Sequence, residues 1–270
     1  MSFDLMGRVA VITGGYGVLG GSIADGLARA GVHVVILGRS IDSARRRAAE
    51  IAAVNGEHKH IGIAGDVLDA ESLRSARGRI VDSLGGIDIL VNAAGGNLSN
   101  ARTNYSSPFS MDLSGFDDVV RLNLHGTVTP SLVFGQVMAD QGRGSIINIS
   151  SMAAFRPLSG IGGYSAAKAA VENFTRWLAV ELAGLGAGGV RVNAVAPGFF
   201  LASQNRSLLV NTDGSPTARA KAILVKTPMG RFGEPRELDG IVQFLASDAS
   251  SFVTGAVIPI DGGFSANSGI

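Results

Sequence analysis

The sequence predicts one α/β domain: a doubly wound parallel sheet of about seven strands with helices on both faces. Three observations carry this reading. Short apolar runs rich in β-branched residues alternate with longer helical patterns along all 270 residues. Several of those runs are near-continuous hydrophobics, as expected of strands covered on both faces. No internal repeat and no low-complexity linker interrupts the alternation. With 46% hydrophobic residues, the protein can build one full core over 1–270.

The first strand is RVAVIT (8–13), and VITGGYGVLGGSIADGLARAG runs from it into a helix over 18–30. Gly15, Gly17 and Gly20 spell G-x-G-x-x-G at this first strand-to-helix turn. Glycines there let the backbone turn tightly and approach a pyrophosphate, which meets the free N–H groups of the helix N-terminus. Gly14, Gly15, Tyr16, Gly17, Leu19 and Gly20 are the candidate cradle. The alternative is a merely tight turn in a sequence with 38 glycines. The place of the motif between strand and helix favours the dinucleotide.

The second strand, HVVIL (33–37), precedes a helix over 41–54. An acidic residue at its end would bond the ribose 2′-OH of NAD. Gly38 stands there instead, and Arg39 follows. No carboxylate repels a 2′-phosphate, and a guanidinium can clasp one. This favours NADP(H) and leaves NAD(H) open. Arg45, Arg46 and Arg47 read as a solvated helix face.

The third strand is HIGIAG (60–65), followed by a helix over 70–84 and the strand IDILVN (87–92). His58 and His60 have no third ligand, so no metal is expected. A helix over 113–139, the strand SIINIS (145–150), a helix over 162–184 and the strand VRVNAV (190–195) come next. A helix over 234–246 and the strand AVIPI (256–260) close the pattern. Two polar segments break the alternation, 95–113 and 196–235, the second with a short helix near 217–226. Both follow strands, so both belong at the carboxyl edge of the sheet, where such folds bind ligands. They read as substrate walls and lid.

Composition narrows the function classes. Lys+Arg is 23 against Asp+Glu 22, so nothing points to nucleic acid or an anionic membrane. The absence of cysteine excludes a disulfide scaffold, a thiolate nucleophile and a zinc-thiolate site. No apolar run suits a bilayer, and the N-terminus carries no export signal, so a cytoplasmic protein is expected.

The chemistry centres on GGYSAAKAAVENF, where Tyr164 and Lys168 stand four apart on one helix face. The bland reading is a tyrosine packed over a lysine stem at a wet surface. The sharper reading adds Ser151, thirteen residues before Tyr164 at a strand's carboxyl end. A carbonyl reduced by hydride needs a proton on its oxygen. A free phenol, with a pKa of about 10, donates one but does not readily take it back near neutrality. A nearby ammonium and an oxidised nicotinamide ring are expected to lower that pKa, and about 4 kcal/mol would bring it near 7. Tyr164 is then the general acid and base, and Ser151 holds the substrate oxygen.

These residues, with Asp66 in GDVLD, NAAG (92–95), Asn123 in NLHG and Pro197-Gly198, resemble the short-chain dehydrogenase/reductase family over nearly the whole sequence. The resemblance implies that Asp66 and Val67 border the adenine. It implies that Asn92, Ala93 and Gly95 form the turn beside the adenine ribose. Asn123 would hold a helix bulge and a water in a proton relay with Lys168, which also bonds the nicotinamide ribose. Pro197, Gly198 and Phe200 would lie by the nicotinamide. The sequence departs from the family pattern at Val18, in place of a glycine, and at Ala93, in place of a second asparagine. The resemblance also implies a homotetramer built on the helices of Asn123 and Tyr164.

SSMAAFRPLSGIGGYSAAK, APGFF, QNRSLL, TPMGRFGEP and the C-terminal segment are similar to the D-mannonate oxidoreductases within that family. That likeness implies a small-molecule substrate, a sugar acid of the D-fructuronate/D-mannonate kind. Arg156, Arg206 and Arg231 are candidate cations for its carboxylate, or else structural pairs. Asn97, Gln204 and Asn205 are candidates for its hydroxyls. A polyol, a small ketone, a 3-oxoacyl thioester and a dinucleotide sensor without turnover remain the alternatives.

Overall fold

The computed structural model describes residues 3–55, 58–101, 107–184, 189–201 and 206–269. Its sheet has seven strands: β1 (Val9–Thr13), β2 (His33–Gly38), β3 (Ile61–Ala64), β4 (Ile89–Asn92), β5 (Gly144–Ile149), β6 (Val190–Pro197) and β7 (Val257–Ile260). All are parallel, in the order β3-β2-β1-β4-β5-β6-β7. The order reverses between β1 and β4, so a crevice opens beyond their carboxyl ends. The inner strands are largely apolar because they feed two cores. Ala10, Ile12, Val34, Ile36, Ile147 and Val195 pack on one face. Their neighbours Val9, Val11, Val35, Leu37, Ile146 and Val192 pack on the other.

The helices are α1 (Val18–Arg29), α2 (Ile41–Asn55), α3 (Ala70–Leu84), α4 (Leu113–Val120), α5 (Gly126–Gln141), α6 (Gly162–Gly184), α7 (Arg206–Leu209), α8 (Ala218–Lys226) and α9 (Asp239–Ala246). Caps set several ends. The Asp69 side chain accepts from the N–H groups of Glu71 and Ser72 at the start of α3, and Gly85 closes it at φ 84°. Two expected helices are subdivided. The helix expected over 113–139 becomes α4, a π-helical turn over Arg121–His125, and α5. The one expected over 234–246 becomes a 3₁₀ turn at Pro235–Leu238, with proline at its start, and then α9. The short α7 has no clear periodicity in the sequence to announce it. Among the described residues, no helix is long and apolar enough to cross a membrane.

Candidate active site

The turn between β1 and α1 is held open by glycine. Gly14 adopts φ +65° and donates to Leu37 O at 2.9 Å. A Cβ on Gly20 would stand 2.5 Å from Gly14 O, and one on Gly15 would stand 3.0 Å from Ile12 O. Side chains are excluded there, so the N-terminus of α1 faces the crevice uncovered, with no side-chain cap on Gly17. The crevice is a cleft of about 290 Å³. Gly14, Gly17, Leu19 and Gly20 line one wall; Ala93, Gly95, Ser151, Tyr164, Lys168, Pro197, Gly198 and Phe200 line the rest. These residues fit a dinucleotide.

Other expected cofactor residues stand outside this cleft. Gly15 lies under the turn, against Ile12 and Ile36. The Tyr16 ring lies against Gly38 at the end of β2, so that a methyl group on Gly38 would overlap it. Glycine at the position of the missing acid therefore has a packing cause, and Arg39 is exposed beside it. Arg47 is no free cation, since it pairs with Asp25 and Glu50. Asp66 accepts from Leu68 N at 2.9 Å, and Val67 is buried beneath Gly126 at the start of α5. The Asn92 amide points into the protein. It donates to Ser131 Oγ (2.8 Å) and Asn148 Oδ1 (2.9 Å), and Asn148 donates to Thr175 Oγ1 (2.9 Å). This buried network ties β4 and β5 to α5 and α6, so the Asn92 side chain does not reach the cleft.

The chemistry-bearing side chains converge. Ser151 follows β5 and caps a 3₁₀ turn, accepting from Ala153 N at 3.2 Å. Tyr164, in the first turn of α6, is hydrogen-bonded to Ser151. Lys168, one turn on, is 4% exposed. Its ammonium donates to Ile149 O at 2.7 Å and stands 5.6 Å from the centroid of the Tyr164 ring. Asn123 lies inside the π-helical turn, fully buried. Its amide donates to Val119 O and Gly96 O, both at 2.8 Å, and accepts from Gly96 N at 3.0 Å. The extra residue of the turn thus pins the loop after β4 beside Lys168.

The electrostatics correct one expectation. Burial pushes the Tyr164 phenol above its usual value, and the Ser151 hydrogen bond offsets this only partly. Burial also brings Lys168 down to about 8. The ammonium sits over the ring and binds a backbone carbonyl, so in the protein alone it does not make the phenol acidic.

A second cavity, of about 420 Å³, adjoins the cleft and shares Gly96, Ser151, Tyr164, Gly198 and Phe199 with it. Asn97 lines this cavity, and its Oδ1 is buried without a partner among the described residues. Arg156 does not line it. Its guanidinium donates twice to Ser265 O, at 3.2 and 2.9 Å, and fastens the C-terminal segment. Arg206 begins α7 and is exposed outside the cavity. Arg231 forms a bidentate pair with Glu237, both contacts at 2.7 Å. Gln204 and Asn205 lie outside the described residues. Sequence reasoning missed Met152, Ser159, Phe199, Leu208 and Arg219, which also line the cavity. The signal for Arg219 was a cation in the first turn of the expected helix near 217–226, where the helix dipole disfavours positive charge.

Comparison with known proteins agrees with this geometry. Residues 17–265 match a family model described as enoyl-(acyl carrier protein) reductase. The protein is 44% identical over 277 residues to an oxidoreductase of Bacillus subtilis (strain 168), covering 99% of this sequence and 98% of that one. It superposes with a TM-score of 0.91 and 42% identity on a Haemophilus influenzae crystal structure described as a candidate D-mannonate oxidoreductase with bound NAD; 99% and 98% of the two chains are covered. A gluconate 5-dehydrogenase from Burkholderia cenocepacia J2315, in complex with NADP and tartrate, superposes with a TM-score of 0.85 and 32% identity over 98% and 97% of the chains. A glycine cradle, a Ser151–Tyr164–Lys168 cluster and a matching fold over the full length lead to one conclusion: the protein belongs to the short-chain dehydrogenase/reductase family and is an NAD(P)-dependent oxidoreductase acting on CH–OH groups.

Proposed function

We propose that the protein interconverts a keto group and a secondary alcohol on a sugar acid, of the D-fructuronate/D-mannonate kind. The observation that carries the reading is the meeting of two cavities at Ser151 and Tyr164, one suited to a dinucleotide and one that sets Asn97, Ser151, Ser159 and Arg219 among apolar residues. When bound, NAD(P) supplies the hydride donor or acceptor and, in its oxidised form, a positive ring. Ser151 holds the substrate oxygen while Tyr164 gives it a proton in reduction or removes one in oxidation. The raised phenol keeps its proton at neutral pH, which suits it to be a donor. Lys168 and Asn123 hold the base of the cleft in place, through Ile149 O and Gly96. Asn97 borders the substrate cavity, and its buried carbonyl oxygen has no partner among the described residues.

The relatives described as acting on mannonate and gluconate support a sugar acid as the substrate class. The Gly38–Arg39 end of β2 supports NADP(H) as the preferred cofactor. Leu132 on α5 and Trp177 and Val180 on α6 are large exposed apolar side chains and support self-association through these helices, as in a homotetramer. The test is a 340 nm screen of hexuronates, aldonates, polyols and 3-oxoacyl thioesters with both cofactors. Turnover of hexuronates or aldonates with the lowest KM is expected. A clear preference for a polyol or thioester would overturn the substrate, and a clear preference for NADH would overturn the cofactor.

A further inference from the structure

We propose that Glu172 is a positioning residue for the reaction: through Ser150 it fixes how the end of β5 presents Ser151 to Tyr164. The inference rests on the roles of Ser151 and Tyr164 given above and adds a residue to them. Tyr164, Lys168 and Glu172 stand at successive four-residue intervals, so they form one stripe along α6. Ile149, Ser150 and Ser151 are consecutive where β5 ends. Each of these three is held by one member of the stripe. Tyr164 is hydrogen-bonded to Ser151, Lys168 donates to Ile149 O at 2.7 Å, and Glu172 accepts from Ser150 Oγ at 2.9 Å. The first two contacts make up the catalytic cluster, and the third continues the same row one turn farther along the helix.

Stability does not explain an acid at this place. Glu172 is 5% exposed, and burial pushes its carboxyl above the usual range, with the Ser150 bond and Arg176 offsetting part of the rise. An apolar side chain would fill such a site at lower cost. The pair with Arg176 spans 3.8 Å, and the arginine side chain is 55% exposed, so it contributes little. What the carboxylate does have is the Ser150 hydroxyl. The other acceptor of that hydroxyl, Lys168 O, is 3.5 Å away and bonds weakly. The Ser150 N–H donates to Val195 O at 2.7 Å, so its backbone is tied to β6 and its side chain to α6. Holding Ser150 at both points limits how far the adjacent Ser151 can swing from Tyr164. A displacement of about 1 Å at a reacting group can cost about 10²-fold in rate.

The test uses Glu172→Leu, Glu172→Gln, Ser150→Ala and the double variant Glu172→Leu/Ser150→Ala in the full-length protein. Each is assayed at saturating dinucleotide with the compound of the 340 nm screen that the parent turns over fastest, and Tm is measured beside kcat and KM. Glu172→Leu is expected to lower kcat about tenfold, to leave KM within about threefold, and not to lower Tm. Ser150→Ala removes the donor of the same bond and should lower kcat to a similar extent, and the double variant should fall no further than either single one. Glu172→Gln keeps an acceptor for Ser150 and should recover most of the kcat lost with leucine. A Glu172→Leu kcat within about threefold of the parent, a double variant whose loss is the product of the single losses, or a glutamine no better than leucine would overturn the assignment. So would a fall in kcat matched by a fall in Tm, the mark of a purely structural role. If Glu172→Leu does not fold, the other two single variants decide: a parent-like kcat in Ser150→Ala overturns the assignment, and an about tenfold loss there with a smaller one in Glu172→Gln upholds it. Tyr164→Phe is run alongside. Parent-like turnover in that variant would overturn the catalytic roles themselves, whereas its loss beside a parent-like Glu172→Leu overturns this inference alone.

Discussion

Replacing Lys168 with methionine should abolish turnover and make the protein more stable at neutral pH. The ammonium is 4% exposed, and burial alone lowers its pKa from 10.5 to about 8. At 1.36 kcal/mol per pH unit, keeping this charge inside at neutral pH costs about 3 kcal/mol. Methionine is unbranched and fills a similar space. It forfeits the hydrogen bond to Ile149 O, which offsets the gain by about 1 kcal/mol. The net is a stabilisation of about 2 kcal/mol, or roughly 4–8 °C in Tm for a domain of this size. The pH dependence is the sharper readout. Between about 8 and 10.5 the unfolded protein holds this proton and the folded one does not, so the parent gains stability as pH rises through that window. At about pH 9.5 the burial penalty has shrunk to about 1 kcal/mol, and the bond to Ile149 O largely cancels what remains. Differential scanning calorimetry of both proteins at about pH 7 and pH 9.5 measures the two differences. A variant that melts below the parent at pH 7, or whose advantage is the same at both pH values, would refute this reasoning.

Three further outcomes follow from the same geometry, and a fourth from the histidine cluster. Tyr164→Phe should lower kcat by about 10²–10⁴-fold with dinucleotide affinity preserved, measured by turnover and by nucleotide fluorescence titration. Because burial raises the Tyr164 phenol, alcohol oxidation should accelerate as pH rises above neutrality while carbonyl reduction holds level there, in pH profiles of the two directions. Gly38→Asp should disrupt the end of β2, since its side chain meets the Tyr16 ring; dinucleotide binding should return, shifted toward NAD, only when Tyr16→Gly is added. His33 and His60, packed with His58, both have lowered pKa values, from burial first and then from neighbouring positive charge. The unfolded protein therefore takes up more protons, and Tm should fall as pH drops through about 6.5, a slope that His60→Gln reduces.

The sheet was legible because its signal is local and redundant. The inner strands are largely apolar on both faces, and each run is bounded by turn residues, so alternation alone orders the elements. The meeting of Tyr164 and Lys168 was legible for a similar reason: their four-residue spacing fixes a shared helix face before any tertiary contact is known. The helix bulge at Asn123 was implied by the family resemblance and not by periodicity, because one extra residue leaves the apolar pattern of the 113–139 stretch nearly unchanged. What locks it, the Asn123 amide on Gly96, links positions 27 apart in the sequence. For Asn92, the resemblance gave a place in the turn beside the ribose but not the direction of the side chain, which partners on α5 and β5 draw inward.

The substrate wall is where sequence reading failed most, and the failure is physical. Arg156 is close to Ser151 in sequence, and proximity suggested that it enters the crevice. The competing partner, Ser265 O, is 109 residues away and comes alongside only when the C-terminal segment folds back. An arginine has five donors and takes whichever acceptors the tertiary structure delivers, so spacing from a catalytic residue does not fix its direction. Arg219 is the reverse case, 68 positions from Ser151 in sequence yet on the same cavity wall. The division of labour is then clear. Ser151 and Tyr164 follow β5 and open α6, whose packing the two main cores set, whereas the cavity residues Leu208 and Arg219 stand on α7 and α8, which pack on the small separate cluster of Leu209, Ala220 and Ile223.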